Sequence, residues 1–180
     1  MKNLILEKSQ NINWDLTVLN ETKIRVLKEN DLDAVVEIDR KVLGKERRAF
    51  WKRKVAFTDV YPRPALVAEV EGKVVGFIMG YVSGWEFGVP DTIGWIDTLG
   101  VDPEYQRRGI GKALFNALIE NFKHSGREEN SGVGGVEKPR IEGVNVVYTL
   151  ANWENWDLIQ FYHAMGFKKG EMLNLKLKIR

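Results

Sequence analysis

Apolar positions recur along this chain with two different periods, and the switches between them outline a mixed domain of strands and helices. Lys23–Leu27 reads as a short strand. Leu32, Val35, Val36, Ile38 and Val42 then follow helical spacing behind Asn30 or Asp31 as the cap. A second helix is predicted from about Lys45 to Phe57, and Pro62 and Pro64 end that region. Ala65–Val70 and Val74–Tyr81 flank Glu71-Gly72-Lys73, the pattern of a β-hairpin. After a loop over Ser83–Thr92 come a strand over Ile93–Val101 and a helix over Gly109–Lys123. Ser125–Gly143 is polar and glycine-rich and reads as a mobile loop. Val144–Leu150 reads as a buried strand, Asn155–Met165 as a helix stopped by Gly166, and Glu171–Ile179 as an alternating final strand. Residues 1–22 carry no strong period and read as an arm or extra strand. Residues 23–180 form one domain with neither repeat nor linker.

The most informative junction is Asp97-Thr-Leu-Gly-Val-Asp-Pro-Glu-Tyr-Gln-Arg-Arg-Gly-Ile-Gly-Lys-Ala113, which joins an apolar strand to an amphipathic helix. Ile110, Ala113, Leu114, Ala117, Leu118 and Phe122 give that helix one apolar face. Its first turn leaves backbone N–H groups without intrahelical partners, at the positive end of the helix dipole. Gly109 and Gly111 remove side chains from in front of those donors, and Arg107, Arg108 and Lys112 add full charges around them. This is a cradle for pyrophosphate. It is not a Walker loop, since Gly-x-x-x-x-Gly-Lys-Ser/Thr is missing from the chain. Nor is it the dinucleotide fingerprint, which needs a third glycine.

Composition narrows the chemistry. At 180 residues with 44% hydrophobic content, the chain is long enough for one sizeable core. A formal net charge of +2 gives no reason to expect nucleic acid as a partner. With no cysteine, disulfides, zinc–thiolate sites and a thiol nucleophile are excluded. His124 and His163 stand outside any metal-ligand spacing, so no metal is expected. The N-terminal sequence breaks into charge too early for a signal peptide and no apolar run is long enough for a membrane span, which makes a cytoplasmic location the expectation.

Gln106-Arg107-Arg108-Gly109-Ile110-Gly111 resembles the Gln/Arg-x-x-Gly-x-Gly/Ala signature of the GNAT superfamily of acyl-CoA-dependent N-acetyltransferases. The flanking Leu99-Gly100-Val101-Asp102-Pro103 and Lys112-Ala113-Leu114 fit the same family. A second, separate stretch, Asn155-Trp-Asp-Leu-Ile-Gln-Phe-Tyr162-His-Ala-Met-Gly166-Phe167, resembles the family's closing segment. There an asparagine precedes a helical tyrosine by seven residues and Gly-Phe follows. Leu158 departs from the small residue more usual there, which leaves Asn152 as the alternative to Asn155. The predicted element order also matches, so the resemblance covers roughly residues 23–179.

The resemblance implies a GNAT fold, a mixed central β-sheet split at the acyl-CoA site and flanked by helices. It implies direct transfer of an acetyl group from acetyl-CoA to a primary amine in a ternary complex. Leu99, Gly100 and Val101 would hold the pantetheine and polarise the thioester carbonyl, Gln106–Lys112 would hold the pyrophosphate, and Asn155 and Tyr162 would also contact the cofactor, Tyr162 beside the sulfur. Tyr162 matches the family's thiolate-protonating tyrosine; a phenol that only caps the core is the alternative. Dimers are common in the family, with the final strand as a candidate interface.

Removing a proton from a lysine-like amine, of pKa about 10.4, calls for a base. Strand alternation puts Trp95, Asp97, Leu99 and Val101 on one face, with Asp97 the only carboxylate among them. Two readings of a buried Asp97 stay open, base or structural anchor, with Glu86 next in line and a chain of waters as a third route. For the acceptor, Trp85, Glu86 and Trp95 suit a cationic amine by ring contact and charge. Arg40–Lys54, with eight basic residues against Glu46 alone, points instead to an acidic acceptor or to an ordinary charged surface. Trp153 and Trp156 either close the acceptor side or pack. Two competing functions remain: a non-catalytic acyl-CoA-binding or sensing module, and a binder of ADP through the same cradle.

Overall fold

The computed structural model describes residues 18–56, 64–83, 93–124, 143–171 and 174–179. Its centre is a five-stranded mixed sheet in the order β1-β2-β3-β4-β5, formed by Lys23–Val26, Ala65–Val70, Lys73–Ser83, Ile93–Val101 and Val146–Thr149. The first four strands run antiparallel to their neighbours, and β5 joins β4 in parallel. A parallel neighbour needs a crossover. Helix α3, Ile110–His124, supplies it. Helices α1 (Leu32–Leu43) and α2 (Arg48–Ala56) lie on the opposite face, and α4 (Trp156–Ala164) follows β5.

The hairpin forms as its sequence predicts. Glu71 and Gly72 both take positive φ, 50° and 78°, the two-residue turn whose twist suits antiparallel strands. Each face of β2 and β3 then feeds a separate core. Val67, Phe77 and Met79 meet Val35, Ile38 and Trp51 of α1 and α2. Leu66, Ala68, Ile78 and Ile96 meet Ile110, Leu114, Leu118 and Phe122 of α3. Helix α3 sits close because glycines lie beneath it. A Cβ on Gly80 would stand 2.6 Å from the Phe122 ring and 2.7 Å from the Trp95 carbonyl. Gly80→Ala therefore forces α3 off the sheet, and chemical denaturation should show a loss of about 1–3 kcal/mol.

Buried carboxylates tie the layers. Asp31 accepts two bonds from Arg25, at 2.7 and 2.9 Å, and a third from the Lys28 N–H, so it braces the turn before α1 without bonding into the helix itself. Asp39 holds Arg47 across the α1–α2 corner at 2.7 and 2.9 Å. Asp102, 2% exposed, is met by Lys41 of α1 at 2.8 Å and by the Glu104 N–H at 3.1 Å. Burial pushes all three carboxyls up, but the cationic and N–H partners outweigh it and hold each below the ordinary 3.8. A depressed carboxylate contributes stability that is fully present above the unfolded value and lost as the pH falls through the folded one. Thermal unfolding should thus be insensitive to these three groups above about pH 5 and drop steeply below 3.8. Lys41→Met should flatten the Asp102 part of that drop.

Four expectations about the elements change. Val42 is exposed, at the C-terminal end of α1 beside the exposed Leu43. Strand β5 is exposed to half-buried, not buried, since it is the outermost strand of the sheet among the described residues. The segment 174–179 forms no strand: its alternating Leu175, Leu177 and Ile179 are exposed, and alternation without a neighbouring strand among the described residues supplies no ladder. Trp153 and Trp156 are 77% and 66% exposed and pack against no core. The Ser83–Thr92 loop beyond Ser83, and Ser125–Gly143 before Gly143, lie outside the described residues.

Candidate active site

The site begins where β4 and β5 part. Their ladder runs from Ile93↔Val146 to Ile96↔Thr149 and stops, while β4 continues to Val101. At the same point β4 carries a bulge: Met79 pairs with Thr98 and Gly80 with Ile96, which leaves Asp97 as the extra residue. The bulge overturns the predicted single face. Leu99 and Val101, opposite Ile78 and Gly76, face the α3 core, whereas Trp95, opposite Tyr81, faces the other way with Asp97. Asp102 donates its N–H to Val75 across the β3 side at 2.8 Å. By alternation, the main-chain groups of Leu99 and Val101 point to the open side, where β5 has diverged.

From that edge the chain turns into the cradle. Gln106 donates its side-chain amide to the Val101 carbonyl at 3.0 Å, which pins the loop to the end of β4. Arg107 and Gly109 take positive φ, 60° and 82°. The Gly109 carbonyl accepts from Ala113 at 2.9 Å and so opens the helical ladder, leaving the N–H groups of Ile110, Gly111 and Lys112 ahead of it. No acidic residue stands in this first turn. Arg107 and Lys112 are exposed beside it, and the Arg108 guanidinium lies 5.5 Å from the Tyr105 ring. The two glycines have a further reason to be small. A Cβ on Gly109 would come within 3.2 Å of Leu19, and one on Gly111 within 3.3 Å of Phe161 in α4. A bulky residue at Gly111 would therefore disturb α4 as well as the cradle.

Tyr162 stands at the other side of the split, 6% exposed, on α4. The Thr149 hydroxyl donates to the Ile96 carbonyl at 3.1 Å and hydrogen-bonds the Tyr162 phenol. Burial pushes this phenol above its ordinary 10.0, an effect the Thr149 bond partly offsets. The proton is therefore in place at neutral pH. Gly166, at φ 92°, ends the helix, and Phe167 donates its N–H back to the Tyr162 carbonyl at 3.0 Å. That turn sets the Phe167 ring 5.1 Å from Tyr162 and 5.9 Å from Phe115, so Gly-Phe is the clamp that orients the tyrosine. Asn155 caps α4 by accepting from Leu158 at 3.1 Å, and Asn152 accepts from Glu154 at 3.1 Å. Asn155 is thus the helix cap, and Asn152 belongs to the preceding turn.

On the opposite face, Trp95 stacks between Tyr81, 6.4 Å away, and Tyr148, 5.3 Å away, forming an aromatic wall across three strands. Asp97 is exposed, contrary to the expectation of a buried acid, and forms an ion pair with Lys54 of α2. Trp85 and Glu86 lie outside the described residues. The basic run also changes character: Arg40, Lys41, Arg47, Arg48 and Lys54 each contact a carboxylate, Glu37, Asp102, Asp39, Asp33 and Asp97 in turn. Five of its eight bases are thus paired with carboxylates, so the run is in good part a lattice of ion pairs. Thr149 went unnoticed in the sequence, and Lys41 and Lys54 were read only as part of the basic run, because their partners lie far away along the chain.

A family model for the acetyltransferase (GNAT) domain matches residues 62–169. The chain belongs to the GNAT acetyltransferase family. An N-alpha-acetyltransferase of Sulfurisphaera tokodaii is 28% identical over 85% of this chain and 84% of its own length. An N-alpha-acetyltransferase of Saccharolobus solfataricus is 24% identical over 83% of this chain and 82% of its own. Among solved structures, the aminoglycoside N-acetyltransferase AAC(6')-Iy in complex with CoA superposes with a TM-score of 0.68 over 87% of this chain and 94% of that one, at 14% identity. The split mixed sheet is thus the GNAT fold. Among the described residues, no group of acids or histidines could hold a metal, and no helix is long and apolar enough to cross a membrane.

Proposed function

We propose that this GNAT protein transfers the acetyl group of acetyl-CoA directly to the α-amine of a polypeptide. The observation that carries the reading is the continuity of three features: a helix N-terminus whose first three N–H groups precede the helical ladder, a β4 edge left open by β5, and a buried tyrosine beside the point of divergence. Pyrophosphate would bind the N–H groups of Ile110, Gly111 and Lys112, aided by Arg107 and Arg108. The pantetheine amides would pair with Leu99 and Val101 as a strand does, past Gly100, bringing the thioester to the bulge. A main-chain N–H there would hold the carbonyl oxygen as it gains charge. The amine attacks the thioester carbon, the C–S bond breaks, and Tyr162 protonates the departing thiolate.

The α-amine is favoured on two grounds. Two relatives are named N-alpha-acetyltransferases. Asp97, the carboxylate on this face of β4, is already engaged by Lys54, so a strong base is not at hand. An α-amine, with pKa about 7.7–8.0, needs little help to lose its proton, and Asp97 with nearby water suffices. The Tyr81–Trp95–Tyr148 wall would receive the first side chain of the peptide. An initial-rate study with short peptides of free N-terminus, set against diamines and aminoglycosides, tests this. Intersecting double-reciprocal lines with peptides as the preferred acceptors are expected. Preference for the small amines would reassign the acceptor, and parallel lines would exclude a ternary complex.

A further inference from the structure

We infer that Lys54 is itself an acceptor, so that the protein acetylates its own Lys54 side chain in a single turnover; the inference rests on acetyl-CoA being the donor. Lys54 reaches from α2 across the sheet face to the carboxylate of Asp97. Asp97 is the bulge residue of β4, next to Ile96, where the β4–β5 ladder ends. The Ile96 carbonyl is in turn bonded by Thr149, which bonds Tyr162. An alkyl amine and a carboxylate are thus linked to a buried phenol through Ile96 and Thr149, at the point where the strands separate. Lys54 and Asp97 lie on the α1–α2 face, and Tyr162 packs in the core on the α3 face. A thioester seated in the split would be approached by the amine from one side and by the acid from the other.

The Lys54 side chain is only 17% exposed, and its ammonium sits 4.9 Å from the centre of the Phe50 ring and 5.9 Å from that of Trp51. It is therefore held at this position and does not sample solvent like Lys52, which is exposed on the same helix. Such holding replaces a bimolecular encounter with an intramolecular one. The step balances. The ammonium gives one proton to Asp97, which passes it to water. Against so weak a base this step is slow, which a held amine in a single turnover tolerates and a multiple-turnover lysine acceptor does not. The free amine forms the C–N bond. The thiolate leaves with the proton of Tyr162, and the phenol is restored by the second proton of the former ammonium. The products are N-acetyl-Lys54, CoA thiol and one released proton. The charge of Lys54 is lost, and Asp97 is left without that counterion, available to an incoming amine.

The test is to incubate the full chain with acetyl-CoA and map acetylated lysines by peptide mass spectrometry over time, with Lys52 as internal reference. The same sample is assayed for acetyl transfer to free-N-terminus peptides. Lys54 should be labelled to near one equivalent while Lys52 stays low, and Tyr162→Phe should slow Lys54 labelling by about a hundredfold. Lys54→Arg should remove the label while keeping the ion pair with Asp97. Peptide acetylation with Lys54 no more labelled than Lys52 would overturn the inference and leave the transferase reading standing. Labelling of Lys54 unaffected by Tyr162→Phe would also overturn it, as plain chemical acetylation. Neither labelling nor peptide transfer would overturn both.

Discussion

Tyr162→Phe is expected to lower the turnover of acetyl transfer by about a hundredfold or more while acetyl-CoA still binds. The substitution removes one oxygen and keeps the ring that packs between Phe161 and Phe167, with centroids 5.4 and 5.1 Å away. Stability should change little, because the Thr149 hydroxyl retains its bond to the Ile96 carbonyl. Steady-state kinetics separates the outcomes. A fall in kcat with an unchanged KM for acetyl-CoA marks loss of the proton donor. A near-wild-type kcat would reduce Tyr162 to a packing residue, and a rise in KM alone would make it a cofactor contact.

The second large effect is expected at the cradle. The double substitution Arg107→Glu, Lys112→Glu reverses two exposed charges beside the three leading N–H groups of α3. Each charge-assisted contact to phosphate contributes about 1.5–3 kcal/mol, so together they account for a hundredfold or greater loss of acetyl-CoA affinity. The melting temperature should hold, since neither side chain is buried. Titration calorimetry reads the affinity directly. Charge reversal is the better probe than a bulky residue at Gly111, because a Cβ there already meets Phe161. If affinity for CoA survives the reversal, the pyrophosphate lies elsewhere.

Most of this architecture was legible in the residues, for local reasons. The hairpin follows from Glu71-Gly72, α3 from its apolar spacing, and the end of α4 from Gly166, and each is decided within a few residues. The turn into α3, with its leading N–H groups, was legible for the same reason, as they belong to one turn. What was not legible depends on distant neighbours. The bulge at Asp97 is a register property of β3 against β4, so period-2 counting along β4 alone put Trp95 and Leu99 on one face wrongly. The basic run looked like a free patch because its carboxylate partners come from elsewhere: Asp97 and Asp102 from β4 and the turn after it, Asp39 and Asp33 from α1. The final alternating segment failed to become a strand because a strand is a property of a pair. Trp153 and Trp156 show that an aromatic residue in a helix approach need not be buried.

The central claim is direct acetyl transfer from acetyl-CoA to an amine, and the decisive measurement is thiol release from acetyl-CoA by the purified protein. It should be run with and without a peptide bearing a free N-terminus, with the peptide's mass followed in the same reaction. Sustained release that requires the peptide, matched mole for mole by its N-acetylation, is the predicted result. Tight acetyl-CoA binding with no acceptor-dependent release for any amine tried would contradict it and identify the fold as a holder of acyl-CoA.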